Sequence, residues 1–228
     1  MKTLIALLLG TGLVLVSHAA EPLPPKAHPD SSGWERMFTA DLGNANFSPG
    51  AWRVEDGLLT ASKDEMIWTR NDYENFAIDL EFKNCTNSNS GVMIYASDLK
   101  DWTPTSVEVQ ILDGWGSKWQ QVAPTWKCGG IFGHLAPSKQ VVKRPGEWNR
   151  MTIWAKSKMI YVMLNGELVT QCDLSQWTNA AKNPDGSPIP PWLSKPIATL
   201  PTKGKVGLQG KHGEATIYFR NVRIKALD

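Results

Sequence analysis

Phe76-Ala77-Ile78-Asp79-Leu80-Glu81-Phe82 is the stretch that decides the fold. Phe76, Ile78, Leu80 and Phe82 fall on one side of an extended chain, and Asp79 and Glu81 on the other. That period of two belongs to a strand with one face in a core and one face outward. Working outward, Val107-Glu108-Val109-Gln110-Ile111-Leu112 alternates in the same way, and Gly91–Tyr95 is a short, nearly all-apolar run. Met151–Ala155 and Ile160–Leu164 flank the polar loop Lys156–Lys158, and Asn165-Gly166 turns the chain into Leu168-Val169. Gly57–Ala61, Val206–Gln209 and Ala215–Ile224 complete the pattern. No stretch carries a helical period. Roughly ten strands separated by Gly, Asn and Asp turns predict an all-β, antiparallel, two-sheet jelly-roll sandwich. No repeat of fixed period supports a propeller.

The chain has 228 residues, 42% of them hydrophobic and 20% charged, with a formal net charge of +2. This is the composition of a globular protein, without the basic excess that a nucleic-acid partner would require. Residues 1–19 read as a secretory signal peptide: Lys2, an apolar run from Leu4 to Val16, then Ser17-His18-Ala19 as a cleavage site. No later stretch is long and apolar enough to span a membrane. Residues 20–33, rich in proline, read as a linker or extended arm, and residues 34–228 as one jelly-roll catalytic domain. The expected protein is exported, to the periplasm or beyond, with a monomer as the default. Cys85, Cys128 and Cys172 lack the spacing of a zinc knuckle. They leave open one disulfide plus a spare thiol, or three buried thiols.

Eleven tryptophans are the unusual count. Three of them, Trp115, Trp119 and Trp126, lie in the loop 114–130, and Trp177 and Trp192 lie in the proline-rich loop 173–203. Long loops inside a compact domain are commonly functional, and an indole is a platform for a flat ligand. Alternation also places Ser106, Glu108 and Gln110 together on the face of their strand opposite Val107, Val109 and Ile111. If that sheet is curved, its polar face is a site for an oligosaccharide or glycoside. Tyr95, Gln209, His134 and His212 lie at the ends or on the polar sides of strands able to share the sheet.

Asn89-Ser90-Gly91-Val92, Glu108-Val109-Gln110-Ile111-Leu112-Asp113, Gly130-Ile131-Phe132-Gly133, Pro145–Asn149, Leu164-Asn165-Gly166, Gly207-Leu208-Gln209 with His212-Gly213, and Phe219–Val222 stand in order along the chain. In that order they resemble the 3-keto-disaccharide hydrolase family over roughly residues 34–226. The resemblance implies a concanavalin A-like jelly roll of the lectin and glucanase type. It also implies cleavage of glycosides already oxidised to a ketone at C3. Such a ketone acidifies the hydrogen on C2, so a general base can form an enolate and expel the C1 aglycone by β-elimination. The base needs a pKa near working pH. Glu108 and His134 are the candidates, with Gln110 and Gln209 as orienting donors. Tyr95, Trp115, Trp119, Trp126 and His212 complete the expected substrate contacts. A divalent metal ion would serve the enolate as Lewis acid. Glu108 and His212 are its candidate ligands if one is used.

Two other readings compete. Glu108-x-Gln110-x-x-Asp113 is similar to the Glu-x-Asp-x-x-Glu strand of laminarinases, which would make the protein a conventional glycoside hydrolase. Retaining hydrolysis needs two carboxylates about 5–5.5 Å apart, yet here the middle position is an amide, and Asp113 precedes Gly114 as if to open a turn. The remaining reading is a non-catalytic carbohydrate-binding module.

Overall fold

The computed structural model of the protein describes residues 24–213 and 215–228. The signal-peptide reading, and the start of the arm, lie outside the described residues. Thirteen strands run through those residues: β1 (Glu35–Arg36), β2 (Ala45–Asn46), β3 (Trp52–Glu55), β4 (Leu58–Ala61), β5 (Met66–Thr69), β6 (Phe76–Asn84), β7 (Asn89–Ala96), β8 (Val107–Leu112), β9 (Trp148–Lys156), β10 (Met159–Leu164), β11 (Glu167–Asp173), β12 (Lys205–Gln209) and β13 (Ile217–Ala226). They form two antiparallel sheets. The larger has eight strands in the order β11-β10-β9-β6-β13-β4-β3, with β1 paired to β13. The smaller has five, in the order β2-β5-β12-β7-β8. This is the all-β jelly-roll sandwich.

β6 lies between β9 and β13, with Phe82 opposite Asn149 on one side and Phe219 on the other. Its apolar set, Phe76, Ile78, Leu80 and Phe82, is fully buried. Each such side chain taken from water contributes roughly 1.5–3 kcal/mol. The smaller sheet answers with Val92, Ile94, Val107, Val109, Ile111 and Leu208 from its inner face.

Four strands escaped the alternation pattern, and β5 shows why. Ile67 enters the main core, while Met66 and Trp68 join Met93 and Ala96 in a second apolar cluster, capped by Leu99 and Trp102. A strand covered on both faces has no polar side to alternate with. The other three, β1, β2 and β3, are two to four residues long.

Residues 28–31 lie along the outer face of the larger sheet. His28 Nδ1 is 2.7 Å from Thr152 Oγ1, Ser31 Oγ donates to Asp79 Oδ2 at 2.5 Å, and Arg150 donates to Pro29 O at 2.6 Å. All three cysteines are free thiols, Cys128 and Cys172 within the core. Burial pushes both of those thiols up to about 12. Among the described residues no helix is long and apolar enough to cross a membrane.

Candidate active site

The outer face of the five-stranded sheet carries a cleft of about 540 Å³. Glu108 and Gln110 of β8 and Gln209 of β12 reach it from the sheet, as alternation requires. Trp119, Trp126, Phe132, Trp192, Trp102 and Thr103 wall it from the loops, and Asp64, Asn89 and His212 line one side.

Glu108 faces Met93 across the strand pair, and Gln110 faces Gly91. The Glu108 carboxyl lies over Gly91, where a Cβ atom would collide with Oε1, Cγ and Cδ. Glycine at 91 therefore makes the room that the acid occupies. No hydrogen bond or ion pair reaches the Glu108 carboxyl from the other described residues. Burial without compensation pushes its pKa up to about 8. Gln110 accepts the Ile111 N–H at Oε1, 3.1 Å away, so its amide NH₂ is left to donate. The Oδ1 atom of Asn89 is buried with no partner. A buried acceptor left unpaired costs free energy unless a ligand or water meets it.

His212 sits in the turn after β12, where its backbone N–H donates to Asn89 O at 3.1 Å. Its Nδ1 lies 2.7 Å from Asp64 Oδ2. Since a carboxylate accepts, Nδ1 carries the proton and Nε2 remains for other work. The segment after Trp126 pairs with β8 as an added edge: Gly129 N–H donates to Gln110 O, Gln110 N–H to Gly130 O, and Phe132 N–H to Glu108 O.

The structure gathers six of the nine expected site residues in this cleft: Glu108, Gln110, Trp119, Trp126, Gln209 and His212. It places three elsewhere. Tyr95 is a core residue, edge-on to Phe76 with centroids 5.5 Å apart, and its hydroxyl reaches toward Ser157 O at 3.5 Å. The cause is a bulge. Lys205 pairs with Ala96 but Gly207 with Met93, so β7 holds one extra residue, and Tyr95 takes a φ of 60°. That extra residue turns Tyr95 from the cleft face to the core. Trp115 points away from the cleft wall: its Nε1 donates to Val142 O at 3.0 Å, and the Arg144 guanidinium stacks on its ring at 4.3 Å. His134 is buried behind Phe132 and does not line the cleft. Its Nδ1–H donates to Phe132 O at 2.8 Å, and Nε2 has no partner. Burial holds its pKa below the usual imidazole range, against the pull of that hydrogen bond.

Asp113 opens a turn. Its carboxylate accepts the N–H groups of Asn87 at 2.8 Å, Trp115 at 2.9 Å and Gly116 at 3.1 Å. It is fully buried and does not line the cleft. Among the described residues there is no group of three or more His, Cys, Asp or Glu side chains able to hold a metal ion. Glu108 and His212, the candidate ligands, share the cleft, but His212 already holds Asp64 at Nδ1.

Sequence reasoning missed Asp64, Trp102 and Thr103, which reach the cleft from loops with no motif of their own. In the sequence Trp192 stands out only as an aromatic in a long loop, and Asn89 only as part of a motif.

Among proteins of known structure, the chain is similar to a candidate glycosyl hydrolase from Parabacteroides distasonis. The two are 53% identical, the match covers 85% of this chain and 99% of the other, and the TM-score is 0.83. A second candidate glycosyl hydrolase from the same organism is 25% identical over 82% of this chain and 90% of its own, with a TM-score of 0.69. A carbohydrate-binding module from Bacillus subtilis, 10% identical with a TM-score of 0.52, covering 83% of this chain and 99% of its own, shares the fold alone. A 3-keto-disaccharide hydrolase from Bacteroides thetaiotaomicron is 26% identical over an alignment of 216 residues, and the match covers 79% of this chain and 71% of that protein. The family model for the 3-keto-alpha-glucoside-1,2-lyase-like domain matches residues 29–225, and the chain belongs to that family.

Proposed function

We propose that the protein is an exported carbohydrate-active enzyme that cleaves 3-keto-glycosides by elimination, with Glu108 as the base. The observation that carries this reading is the Glu108 carboxyl itself, unpartnered in an aromatic cleft with its pKa pushed up to about 8. A carboxylate of that basicity suits removal of a proton from carbon next to a ketone. Glu108 takes the proton from C2, and the C2–H electrons pass into an enolate on the C3 oxygen. The enolate collapses to a C1=C2 double bond as the C1–O bond breaks, and the aglycone oxygen leaves with that pair. The departing oxygen takes up the proton that Glu108 removed, and His212, oriented by Asp64 at Nδ1, accepts a sugar hydroxyl at Nε2. Gln110, through its free NH₂, and Gln209 donate to the sugar and its developing oxyanion. Water adding back across C1=C2 would give net hydrolysis.

His134 acts in this scheme as a positioning residue. It holds the backbone of Phe132, whose N–H in turn bonds the Glu108 carbonyl.

The lack of a second cleft carboxylate at Asp113 favours elimination over a laminarinase-like double displacement. Asp64 is the only other carboxylate among the residues lining the cleft, and it is engaged with His212. The test is incubation of the protein with a glucoside and with its 3-keto derivative, with and without a chelator. Turnover of the ketone alone is expected. Equal rates on both substrates would return the conventional glycosidase, and binding without turnover would return the module. Export is tested by mass spectrometry of secreted protein, which should begin near Ala20.

A further inference from the structure

We infer that the aglycone side of the cleft is an aryl-binding trough built from Trp126, Trp192 and the Pro188–Pro191 segment, so that the preferred leaving group is a flat, apolar aromatic. This rests on the elimination reading for its substrate but stands on separate geometry.

The cleft adjoins another cavity at two of its own lining residues. Trp126 and Trp192, edge to face at 6.1 Å, belong both to the lining of the cleft and to that of an adjoining trough of about 480 Å³. The trough is completed by Val122, Ala123, Thr125 and the run Pro188-Ile189-Pro190-Pro191. Apart from the two indole N–H groups, Thr125 carries its only polar side-chain group. Trp192 is 51% exposed, one of two large apolar side chains left so open among the described residues.

The opposite end of the cleft has a different character. Through Asp64, Trp102 and Gln209 it opens into a second hollow of about 410 Å³, which offers Asn46, Ser48 and Glu65 beside Met66 and Trp68. A sugar ring carries several hydroxyls, and each one removed from water wants a partner. The hollow supplies carboxylate, amide and hydroxyl partners, while the trough supplies one hydroxyl and two indole N–H donors and no side-chain carboxylate or amide. An aromatic ring asks for none and gains from offset or edge contact with indole. The two ends of the cleft are thus sorted: sugar toward Asp64, aryl group toward Trp192.

The trough is also held in shape before any ligand arrives. Ile189 and Leu193 are anchored in the core. Asn183 ties the loop down, donating to Gly133 O at 3.2 Å and accepting from Trp177 Nε1 at 2.9 Å. Gly133, at φ 73°, lets Leu193 and Pro190 close on a backbone where any Cβ would collide. A preformed wall spares a ligand the entropy of ordering it.

The experiment compares phenyl, methyl and glucosyl 3-keto-glucosides in turnover, and the unoxidised phenyl and methyl glucosides in calorimetric binding. The wild type should favour phenyl over methyl by about tenfold in affinity, the equivalent of one good aromatic contact. Trp192→Ala, and separately Ala123→Glu in the trough floor, should each collapse that ratio while melting as the wild type does. Equal affinity for phenyl and methyl, or a ratio unmoved by both substitutions, overturns the trough. A preference for the glucosyl leaving group over phenyl assigns the space to a sugar and overturns the aryl reading. If no 3-keto-glycoside turns over, the elimination mechanism fails while the calorimetric ratio still decides the trough.

Discussion

Asp79 and Glu108 sit on strands with the same alternating pattern, one on the outer face of each sheet, and their surroundings are opposite. Asp79 is saturated. Its Oδ1 accepts from Arg150 Nε at 3.1 Å and Thr152 Oγ1 at 2.5 Å, and its Oδ2 from the second Arg150 nitrogen at 2.8 Å and Ser31 Oγ at 2.5 Å. Beside it Glu81 takes Arg220 and Asn221, which hold its carboxyl below the usual range despite burial. Glu108 has no such partner, and burial pushes it up to about 8. A carboxylate given four donors is a clamp, and here it pins residues 28–31 to the sheet. A carboxylate denied donors keeps its affinity for a proton, and that is what a base requires. Two acids that read alike in sequence are separated only by what the fold places around them.

The largest expected effect comes from removing the unpartnered acid. Glu108→Gln should cut turnover of a 3-keto-glycoside by about 10²- to 10⁴-fold, the range for a positioned acid–base group. An amide that retained full activity would dismiss Glu108 as the base. On the other face, Asp79→Ala should leave turnover per folded molecule intact and cost about 2 kcal/mol in denaturant melts. That is less than a wholly buried pair would cost, because Arg150 still reaches solvent. Should Asp79→Ala instead lose activity without losing stability, the contrast between the faces would collapse.

Asp113→Asn sharpens the comparison by a third acid. It has three backbone donors, so the amide should cost about 1–2 kcal/mol of stability with little loss of kcat. A folded but inactive Asp113→Asn protein would restore the laminarinase-like reading.

The pH dependence follows from the same two faces. For Glu108 the folded pKa lies above its unfolded value, so the folded state binds the extra proton and stability falls as pH rises from about 4.5 toward 8. Activity should rise over the upper part of that window as the base ionises. Thermal melts of Glu108→Gln and wild type should agree near pH 5 and separate by pH 9, with the amide the more stable. The smallest effect concerns His28, whose Nε2 accepts the Gly166 N–H at 2.9 Å. Burial, and then the nearby Arg150, hold its pKa down, with Asp79 pulling the other way. A depressed imidazole stabilises above its unfolded pKa and loses that contribution as pH falls through the folded one. The protection of the Gly166 amide, the slowing of its exchange relative to that of an unfolded amide at the same pH, should therefore fall in mild acid before protection in β6 does.

Much of the fold was legible because β6 and β8 each have one face with polar side chains and one apolar face, and alternation reports that directly. β5 was illegible because both of its faces pack against apolar clusters. The candidate site divides along the same line. Glu108, Gln110 and Gln209 stand on strands, so their direction could be read from parity. Parity failed at Tyr95, where one bulged residue reverses it. Trp115 and Trp119 lie in one loop, four residues apart, yet Trp119 Nε1 bonds Asn87 O beside the cleft while Trp115 turns to Val142 O. Those acceptors are about thirty residues away along the chain in either direction, and nothing local in the loop announces them. Asp64 and Trp102 reach the cleft by the same long-range packing.

The measurement that bears most directly on the elimination account is the isotope effect at C2. A methyl 3-keto-glucoside carrying deuterium at C2 should react more slowly than its protiated form, and the enone product should lose the label to solvent. Glu108→Gln should abolish both the reaction and the exchange. Cleavage that proceeds at the same rate with C2 deuterated, retains the label, and runs equally well on the unoxidised glycoside would contradict the account outright.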